Sequence, residues 1–313
     1  MATQLRNSNS SFSCRPVRLQ DDDFYYRDWG GSGPLIHISH SIGFCAGVYT
    51  PLAERLNVRF HVIGLDSRGH GRTKAPADPD KFQSWYILYD DLDNFFRELD
   101  QPLIAIGHSM GGTISMVCAV RRPELVRALV IIEPGIVPPS WIASLAELQK
   151  NGLTGSIPSI SKTAKRQKEW PSREALRASV SEKELFRSWR REFLDAYVEH
   201  ITYEADDGFV RLRCDPDWEA RCVATAPMDI WDYVPQLKTP TLVLYGEHSR
   251  TFLPEVVDRF RSEVPHAVFQ CFGGNGHNVI MEEPEAVTKV ILEFLEANGL
   301  PEAAAPNDTL TTK

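Results

Sequence analysis

The stretch Leu103-Ile104-Ala105-Ile106-Gly107-His108-Ser109-Met110-Gly111-Gly112-Thr113-Ile114-Ser115-Met116-Val117-Cys118 decides the fold. A short apolar run meets a Gly-x-Ser-x-Gly turn, and the turn meets a helix-compatible run. Strand, tight turn and helix in that order are the context of a nucleophile elbow. The central residue of such a turn is strained and its neighbours must be small, so Gly107 and Gly111 leave room for close backbone approach. The Ser109 hydroxyl then stands clear of the sheet at a helix N-terminus, whose dipole favours developing negative charge.

Outward from this elbow, strand and helix patterns alternate. Pro16 to Leu19, Phe24 to Trp29 and Pro34 to Ser39 read as short strands separated by Asp- and Gly-rich turns. Tyr49 to Leu56 fits a helix and Arg59 to Leu65 a strand. Trp85 to Leu99 has helical periodicity, with Leu88, Leu92, Phe95, Phe96 and Leu99 on one face. Ala128 to Ile132, Thr241 to Tyr245 and Ala267 to Phe272 are further strands, and Pro284 to Ala297 closes with a helix. Alternation of this kind predicts a largely parallel sheet with helices on both faces.

The alternation breaks over residues 137–237, a charged, helix-rich stretch that carries Trp141, Trp170, Trp189, Trp218 and Trp231. It reads as a helical cap inserted between two core strands. Most of its tryptophans are expected to fill the cap's own small core, and a few to line a cleft. Lys162 to Arg191 holds more Lys and Arg than Asp and Glu; it reads as a solvated helix face, with anion binding as the alternative. The expected organisation is a flexible tail at 1–15, core at 16–136, cap at 137–237, core again at 238–300, and a tail at 301–313.

The bulk numbers exclude several classes. The 313 residues suit one α/β domain with an insertion, and 42% hydrophobic with 24% charged residues is ordinary for a globular chain. A formal net charge of −8 disfavours a nucleic-acid partner. No apolar run has the length of a membrane span, and Met1 to Cys14 has no apolar signal core, so a cytoplasmic location is expected. The six cysteines form no Cys-x-x-Cys pair, and no His-Glu-x-x-His or clustered ligand set occurs, so neither metal nor other cofactor is implied.

Taken together, four motifs resemble the α/β-hydrolase superfamily, and more narrowly its capped serine-hydrolase branch. His40-Ser41-Ile42-Gly43-Phe44 stands in the place of the family's His-Gly loop. Asp66-Ser67-Arg68-Gly69-His70-Gly71 matches its Asp-x-Arg-Gly-x-Gly turn. Gly107 to Gly111 is the elbow, and Gly276-His277-Asn278 matches the late histidine. The resemblance covers roughly residues 16–300 and implies a mostly parallel eight-stranded sheet, with the site at the carboxyl ends of its strands beneath the cap.

It also implies roles. Ser109 is the nucleophile and His277 its base. The oxyanion hole uses the backbone N–H of Met110 and one from the His40 loop, placed at Ile42 with Ser41 as the alternative. The acid stays open. Relatives carry an aspartate after the strand Thr241 to Tyr245, but here the turn reads Gly246-Glu247-His248-Ser249 and serine stands in its place. Glu133, at the end of the strand Ala128 to Ile132, is the leading candidate, Glu247 the alternative, and absence of an acid the third possibility. Asp66 and Arg68 read as structural, His108 as a structural neighbour of the elbow, and His40 as a brace for the oxyanion loop. The segment Leu212 to Ala220 reads as a cap-folding motif.

The expected function is a serine hydrolase that cleaves a small-molecule carboxylic ester or related acyl compound through an acyl-enzyme. C–C bond hydrolysis of a diketone-like substrate uses the same triad. A weakly hydrolytic ligand receptor on the same fold would follow from a missing acid. The oligomeric state stays open.

Overall fold

A computed structural model describes residues 12–300 of the chain. Its centre is an eight-stranded sheet, built from β1 (Ser13–Leu19), β2 (Asp22–Gly30), β3 (Leu35–Ser39), β4 (His61–Asp66), β5 (Leu103–His108), β6 (Val126–Ile132), β10 (Thr241–Gly246) and β11 (Val268–Phe272). The missing numbers belong to β7 (Glu169–Trp170), β8 (Thr202–Glu204) and β9 (Val210–Leu212), which form a separate small sheet. The spatial order in the large sheet is β1-β2-β4-β3-β5-β6-β10-β11. β1 and β2 run antiparallel to their neighbours, and β4 through β11 pair in parallel.

The order contains one reversal of travel. The chain steps outward from β3 to β4, then crosses back to place β5 on the other side of β3. Loops leaving β3 and β5 therefore diverge and open a crevice at the strands' carboxyl ends, the usual ligand position in open α/β sheets. The elbow lies on the β5 side of that switch and the His40 loop on the β3 side.

Central strands are buried on both faces, which is why they read as continuous apolar runs. Successive residues serve opposite cores. Leu103 and Ala105 of β5, with Leu129 and Ile131 of β6, pack under α2 (Tyr86–Leu99), α3 (Met110–Arg121) and α10 (Pro254–Glu263). Ile104 and Ile106, with Val130 and Ile132, pack under α1 (Thr50–Leu56) and α12 (Pro284–Ala297). Each such side chain contributes about 1.5–3 kcal/mol by leaving water. In α2, Leu88, Leu92, Phe95 and Phe96 are buried as the periodicity predicts.

Between β6 and β10 the chain forms α4 (Pro139–Lys150), α5 (Pro158–Ala164), α6 (Arg173–Ser181), α7 (Arg191–His200), α8 (Pro216–Ala224) and α9 (Ile230–Tyr233), together with the β7-β9-β8 sheet. A short α11 (Val279–Glu282) precedes α12. The small antiparallel sheet is a departure from a purely helical insertion. Its strands have two or three residues each, too few to show period-two alternation.

The tryptophans also depart from expectation. Trp170 and Trp189 are continuous with the core on one face of the large sheet, and Trp218 and Trp231 with the core on the other. Only a small cluster, Ile160, Ala220 and Ala224, belongs to the insertion alone. Trp141 is exposed. The tails expected at 1–15 and 301–313 lie outside the described residues, except that Ser13, Cys14 and Arg15 belong to β1, where backbone pairing to Asp28, Arg27 and Tyr26 orders them. Among the described residues no helix is long and apolar enough to cross a membrane.

The elbow depends on missing side chains. A Cβ on Gly107 would fall 2.3 Å from the Gly111 carbonyl oxygen, and one on Gly111 would fall 2.3 Å from the Ser39 carbonyl oxygen. Both obstacles are backbone and cannot swing aside. Gly111→Ala is expected to lower unfolding stability by about 1–3 kcal/mol or more, measured by urea denaturation. Gly155→Ala, with nothing within 4 Å of the new methyl, should change it by no more than about 0.5 kcal/mol. Equal midpoints for the two variants would refute the close-approach account.

Candidate active site

Ser109 sits between β5 and α3 at φ 54° and ψ −118°. A non-glycine residue there carries strain of about 1–3 kcal/mol, held only by over-determining contacts. Those contacts are present: the Ser109 N–H donates to the Ile132 carbonyl (2.9 Å), and its carbonyl accepts from Thr113 N–H (3.1 Å) and Gly135 N–H (3.2 Å). Met110 opens α3, so its N–H has no intrahelical acceptor and points with the positive end of the helix dipole.

His277 lies in the loop between β11 and α11, and this loop is tied down along its length. Gly274 N–H donates to Glu247 Oε2 (2.9 Å), Gly276 N–H and Asn275 Nδ2 donate to Glu282 Oε2 (3.2 and 3.0 Å), and His248 N–H donates to the Asn275 carbonyl (2.8 Å). His108 Nε2 donates to the His277 carbonyl (2.9 Å), and the two rings lie 5.1 Å apart. The base candidate is therefore anchored to the residue that immediately precedes Ser109.

Glu133 follows β6 directly, at φ 50°, and is completely buried. A buried carboxylate must be satisfied by donors. Its Oε1 accepts Gly246 N–H (2.7 Å), and its Oε2 accepts the Ser249 hydroxyl (2.5 Å) and lies 3.1 Å from His277 Nδ1. Thr251 Oγ1 sits 2.8 Å from the same Nδ1 and 3.5 Å from Glu133 Oε2. An Nδ1–H shared between Glu133 and Thr251, with the Thr251 hydroxyl donating to Glu133, satisfies all three groups. Glu247, in contrast, is exposed and spends its carboxylate on Gly274 N–H, with no contact to His277 among the described residues. The structure thus brings Ser109, His277 and Glu133 to one end of the sheet and leaves Glu247 as a loop brace. Ser249 and Thr251 are the members that sequence reasoning missed; the Ser249 substitution in the aspartate's place was their one signal.

The His40 loop packs beside the elbow. Ser41 N–H donates to Tyr49 Oη (3.1 Å) and Gly43 N–H to His70 Nε2 (3.1 Å). Of these three consecutive amides, that of Ile42 has no acceptor among the described residues. The insertion covers the loop from above. A Cβ on Gly43 would meet the Glu219 carboxylate at 2.7 Å, and one on Gly69 would meet the Trp218 indole at 2.2 Å. Glu219 is itself held by Arg166 (2.6 Å), which also donates to Tyr197 Oη (3.1 Å). The segment Leu212 to Ala220 therefore contributes packing onto both core loops.

Asp66 and Arg68 are structural, as their turn suggests. Asp66 accepts Ala46 N–H (2.9 Å) and Arg72 N–H (2.8 Å). Arg68 grips Asp91 with two nitrogens (2.9 and 2.8 Å) and Asp22 with one (2.8 Å).

Four histidines of the core and its loops are buried, each with both ring nitrogens engaged. His37, His40 and His70 accept the N–H of Leu65, Ser67 and Gly43 respectively on Nε2. Their Nδ1–H groups donate to Ser39 Oγ, the Ser41 carbonyl and the Arg68 carbonyl. His108 accepts from Tyr49 Oη on Nδ1 (2.7 Å). A second ring proton would point at a donor, and burial disfavours the cation as well. His37, His70 and His108 are pushed down to about 3, and His40 to about 4, by burial first of all.

Residues 34–284 match the family described as alpha/beta hydrolase fold. The chain is 26% identical over 275 residues to 2-(acetamidomethylene)succinate hydrolase of Mesorhizobium japonicum, covering 85% of this chain and 90% of that one. It is 27% identical over 295 residues to sn-1-specific diacylglycerol lipase ABHD11 of Mus musculus, covering 90% and 86%. Among solved structures, E-2-(acetamidomethylene)succinate hydrolase superposes with a TM-score of 0.74 at 24% identity, covering 91% of this chain and 99% of that one. The curacin-pathway thioesterase domain superposes with a TM-score of 0.72 at 21% identity, covering 90% and 99%.

The histidine shifts carry a sign. Their folded values lie below the unfolded 6.5, so the unfolded chain binds protons first as pH falls. Their contribution is complete above 6.5 and is lost progressively as pH falls, down to about 4 for His40 and about 3 for the other three, at about 1.4 kcal/mol per histidine per pH unit. Asp66, Asp91 and Glu219, raised by burial, act in the opposite sense and soften the slope. Urea-unfolding free energy should fall from pH 7 to pH 5; a flat or rising profile would contradict the neutral-histidine assignment.

Proposed function

The chain belongs to the alpha/beta hydrolase fold family, and from that premise we propose that it is a serine hydrolase that cleaves a carboxylic ester or related acyl compound through an acyl-enzyme on Ser109. The observation that carries the reading is the 3.1 Å contact between buried Glu133 Oε2 and His277 Nδ1, in a loop pinned to His108 beside the elbow.

In this reading His277 Nε2 takes the Ser109 proton as Oγ attacks the acyl carbon. Glu133, held by Gly246 and Ser249, fixes the ring with its proton on Nδ1 and stabilises the imidazolium. The tetrahedral oxyanion accepts from the N–H groups of Met110 and Ile42, the first free at a helix start and the second without an acceptor between the engaged amides of Ser41 and Gly43 among the described residues. Collapse returns the proton to the leaving group, and a water activated by His277 then releases the acid. Ser41 is already bonded to Tyr49, which counts against its alternative role. Relatives named as a hydrolase and a diacylglycerol lipase support an acyl substrate. The receptor alternative rested on a missing acid, and the Glu133–His277 contact supports the hydrolase reading over it.

We read residues 137–237 as the cap of this cleft. Glu219 against Gly43 of the loop that would hold the oxyanion, and Trp218 against Gly69 of the Asp66 turn, support this reading, in which cap packing would set acyl-chain selection.

The test is p-nitrophenyl ester hydrolysis across acyl lengths together with fluorophosphonate labelling. Ser109→Ala should abolish both turnover and labelling. Glu133→Gln should lower kcat by roughly 10³–10⁴-fold while the protein stays folded. Glu247→Gln should stay within about threefold, since only a loop contact changes. Collapse of Glu247→Gln with Glu133→Gln active would reverse the acid assignment. Labelling of wild type without ester turnover would move the substrate to a narrower acyl or C–C class.

A further inference from the structure

Away from Ser109, a cavity of about 120 Å³ opens between the first strands of the sheet and the insertion. Four arginines from four separate places line it: Arg27 of β2, Arg72 after β4, Arg173 at the start of α6, and Arg213 just before α8. We propose that this cavity is an anion site for a multiply charged tetrahedral oxyanion, either inorganic phosphate or the phosphate-monoester group of a small molecule.

The excess of cations on the wall favours an anionic ligand. Arg173 is paired to Glu199 (3.4 Å) and to Glu204. Arg27 donates to His200 Nδ1 (3.4 Å) and Arg213 to the Thr202 carbonyl (2.9 Å), both neutral acceptors. Among the described residues, neither these two nor Arg72 has a carboxylate within 4.0 Å. Asp66 is the one other acid on the wall; its oxygens accept Ala46 N–H and Arg72 N–H, and it acts on Arg27 and Arg213 as a partial counter-charge without a direct contact. Three guanidiniums, half-buried Arg27 and Arg213 and exposed Arg72, thus share one nearby acid and no direct ion pair among the described residues, in a chain whose net charge is −8. Like charges gathered in one partly desolvated place are costly unless an anion joins them. The Arg213 guanidinium is pushed down by burial and then by Arg72, which is the same repulsion seen from one member.

The geometry selects the ligand class. A planar carboxylate is satisfied by one arginine edge, whereas a tetrahedral oxyanion presents acceptors in several directions and suits donors converging from four elements. The cavity exceeds several-fold the roughly 10–15 Å³ that one water requires, so a four-oxygen anion fits. His200, whose Nδ1 already accepts from Arg27, keeps Nε2–H as a further neutral donor. Two of the arginines belong to the core and two to the insertion, so the bound anion would tie one to the other. Arg173 lies within the basic Lys162 to Arg191 stretch, which gives that stretch a function for one of its members.

The test uses the full chain at constant ionic strength. Isothermal titration and thermal melts are run with inorganic phosphate, glycerol phosphate and succinate, against chloride as the matched salt. Phosphate and glycerol phosphate should bind and raise Tm through preferential binding to the folded state, and succinate should not. Arg27→Met and Arg213→Met should each weaken binding by about ten- to a hundredfold, as loss of a charge-assisted contact does. Arg213→Lys, which keeps the charge and guards against a folding defect, should weaken it less, and exposed Arg191→Met should leave it unchanged. Ser109→Ala should bind phosphate as wild type does, which separates this site from the catalytic reading. Tighter glycerol phosphate assigns a monoester, and equal affinities assign the free anion. No heat with either phosphate, unchanged affinity in Arg213→Met, or succinate binding as well as phosphate would each overturn the proposal.

Discussion

The backbone of α3 rests directly on the end of β3, and the candidate site depends on that contact. No side chain fits between Gly111 and the Ser39 carbonyl, or between Gly107 and the Gly111 carbonyl. The approach forces the turn so tightly that Ser109 is driven to positive φ, which lifts its hydroxyl off the sheet. It also brings the start of α3 beside the loop that leaves β3. Strain at Ser109 persists because three backbone hydrogen bonds hold it, one from α3 itself and two that draw on β6 and on the chain just beyond it.

That link to β6 explains how a carboxylate can change strands without changing place. β6 and β10 pair in parallel, with Ile132 opposite Leu244, so residues just past each end leave the sheet side by side. A side chain from either exit can reach the same point beneath the histidine loop. Glu133 reaches it from β6, aided by its own positive φ and the length of a glutamate. Ser249, in the turn after β10, then has no need of charge. It donates to the Glu133 oxygen that also faces His277, and Gly246 N–H donates to the other.

The central strands and the elbow were legible because local rules decide them: an apolar run buried on both faces, and glycines where a Cβ would strike backbone. Which of Glu133 and Glu247 reaches the histidine was not local. It turns on which strand lies next to β10, and both carboxylates stand between Ser109 and His277 in the chain, so order could not separate them. β1 extends to Ser13 through a polar segment because its order comes from backbone pairing with β2, which no side-chain pattern announces. The tryptophans of the insertion were legible as packing residues but not as members of the two main cores, since a buried indole carries no mark of its partner. Arg27, Arg72 and Arg213 are dispersed along the chain, and only the fold gathers them with Arg173.

The variable position of the Gly-x-Ser motif shows how far local chemistry is reused. His108 faces into the protein, away from the nucleophile's work, and burial keeps its ring neutral. Ser41 N–H donates to Tyr49 Oη, the Tyr49 hydroxyl donates to His108 Nδ1, and His108 Nε2–H donates to the His277 carbonyl. One hydrogen-bonded chain therefore runs from the loop beside the elbow, beneath the elbow, to the backbone of the base candidate. Each link fixes the direction of the next, because a neutral imidazole has one donor and one acceptor. Loops from three different strands are held in register by a single buried tautomer. A charged or flexible residue at position 108 would satisfy the Gly-x-Ser-x-Gly pattern and lose that registration.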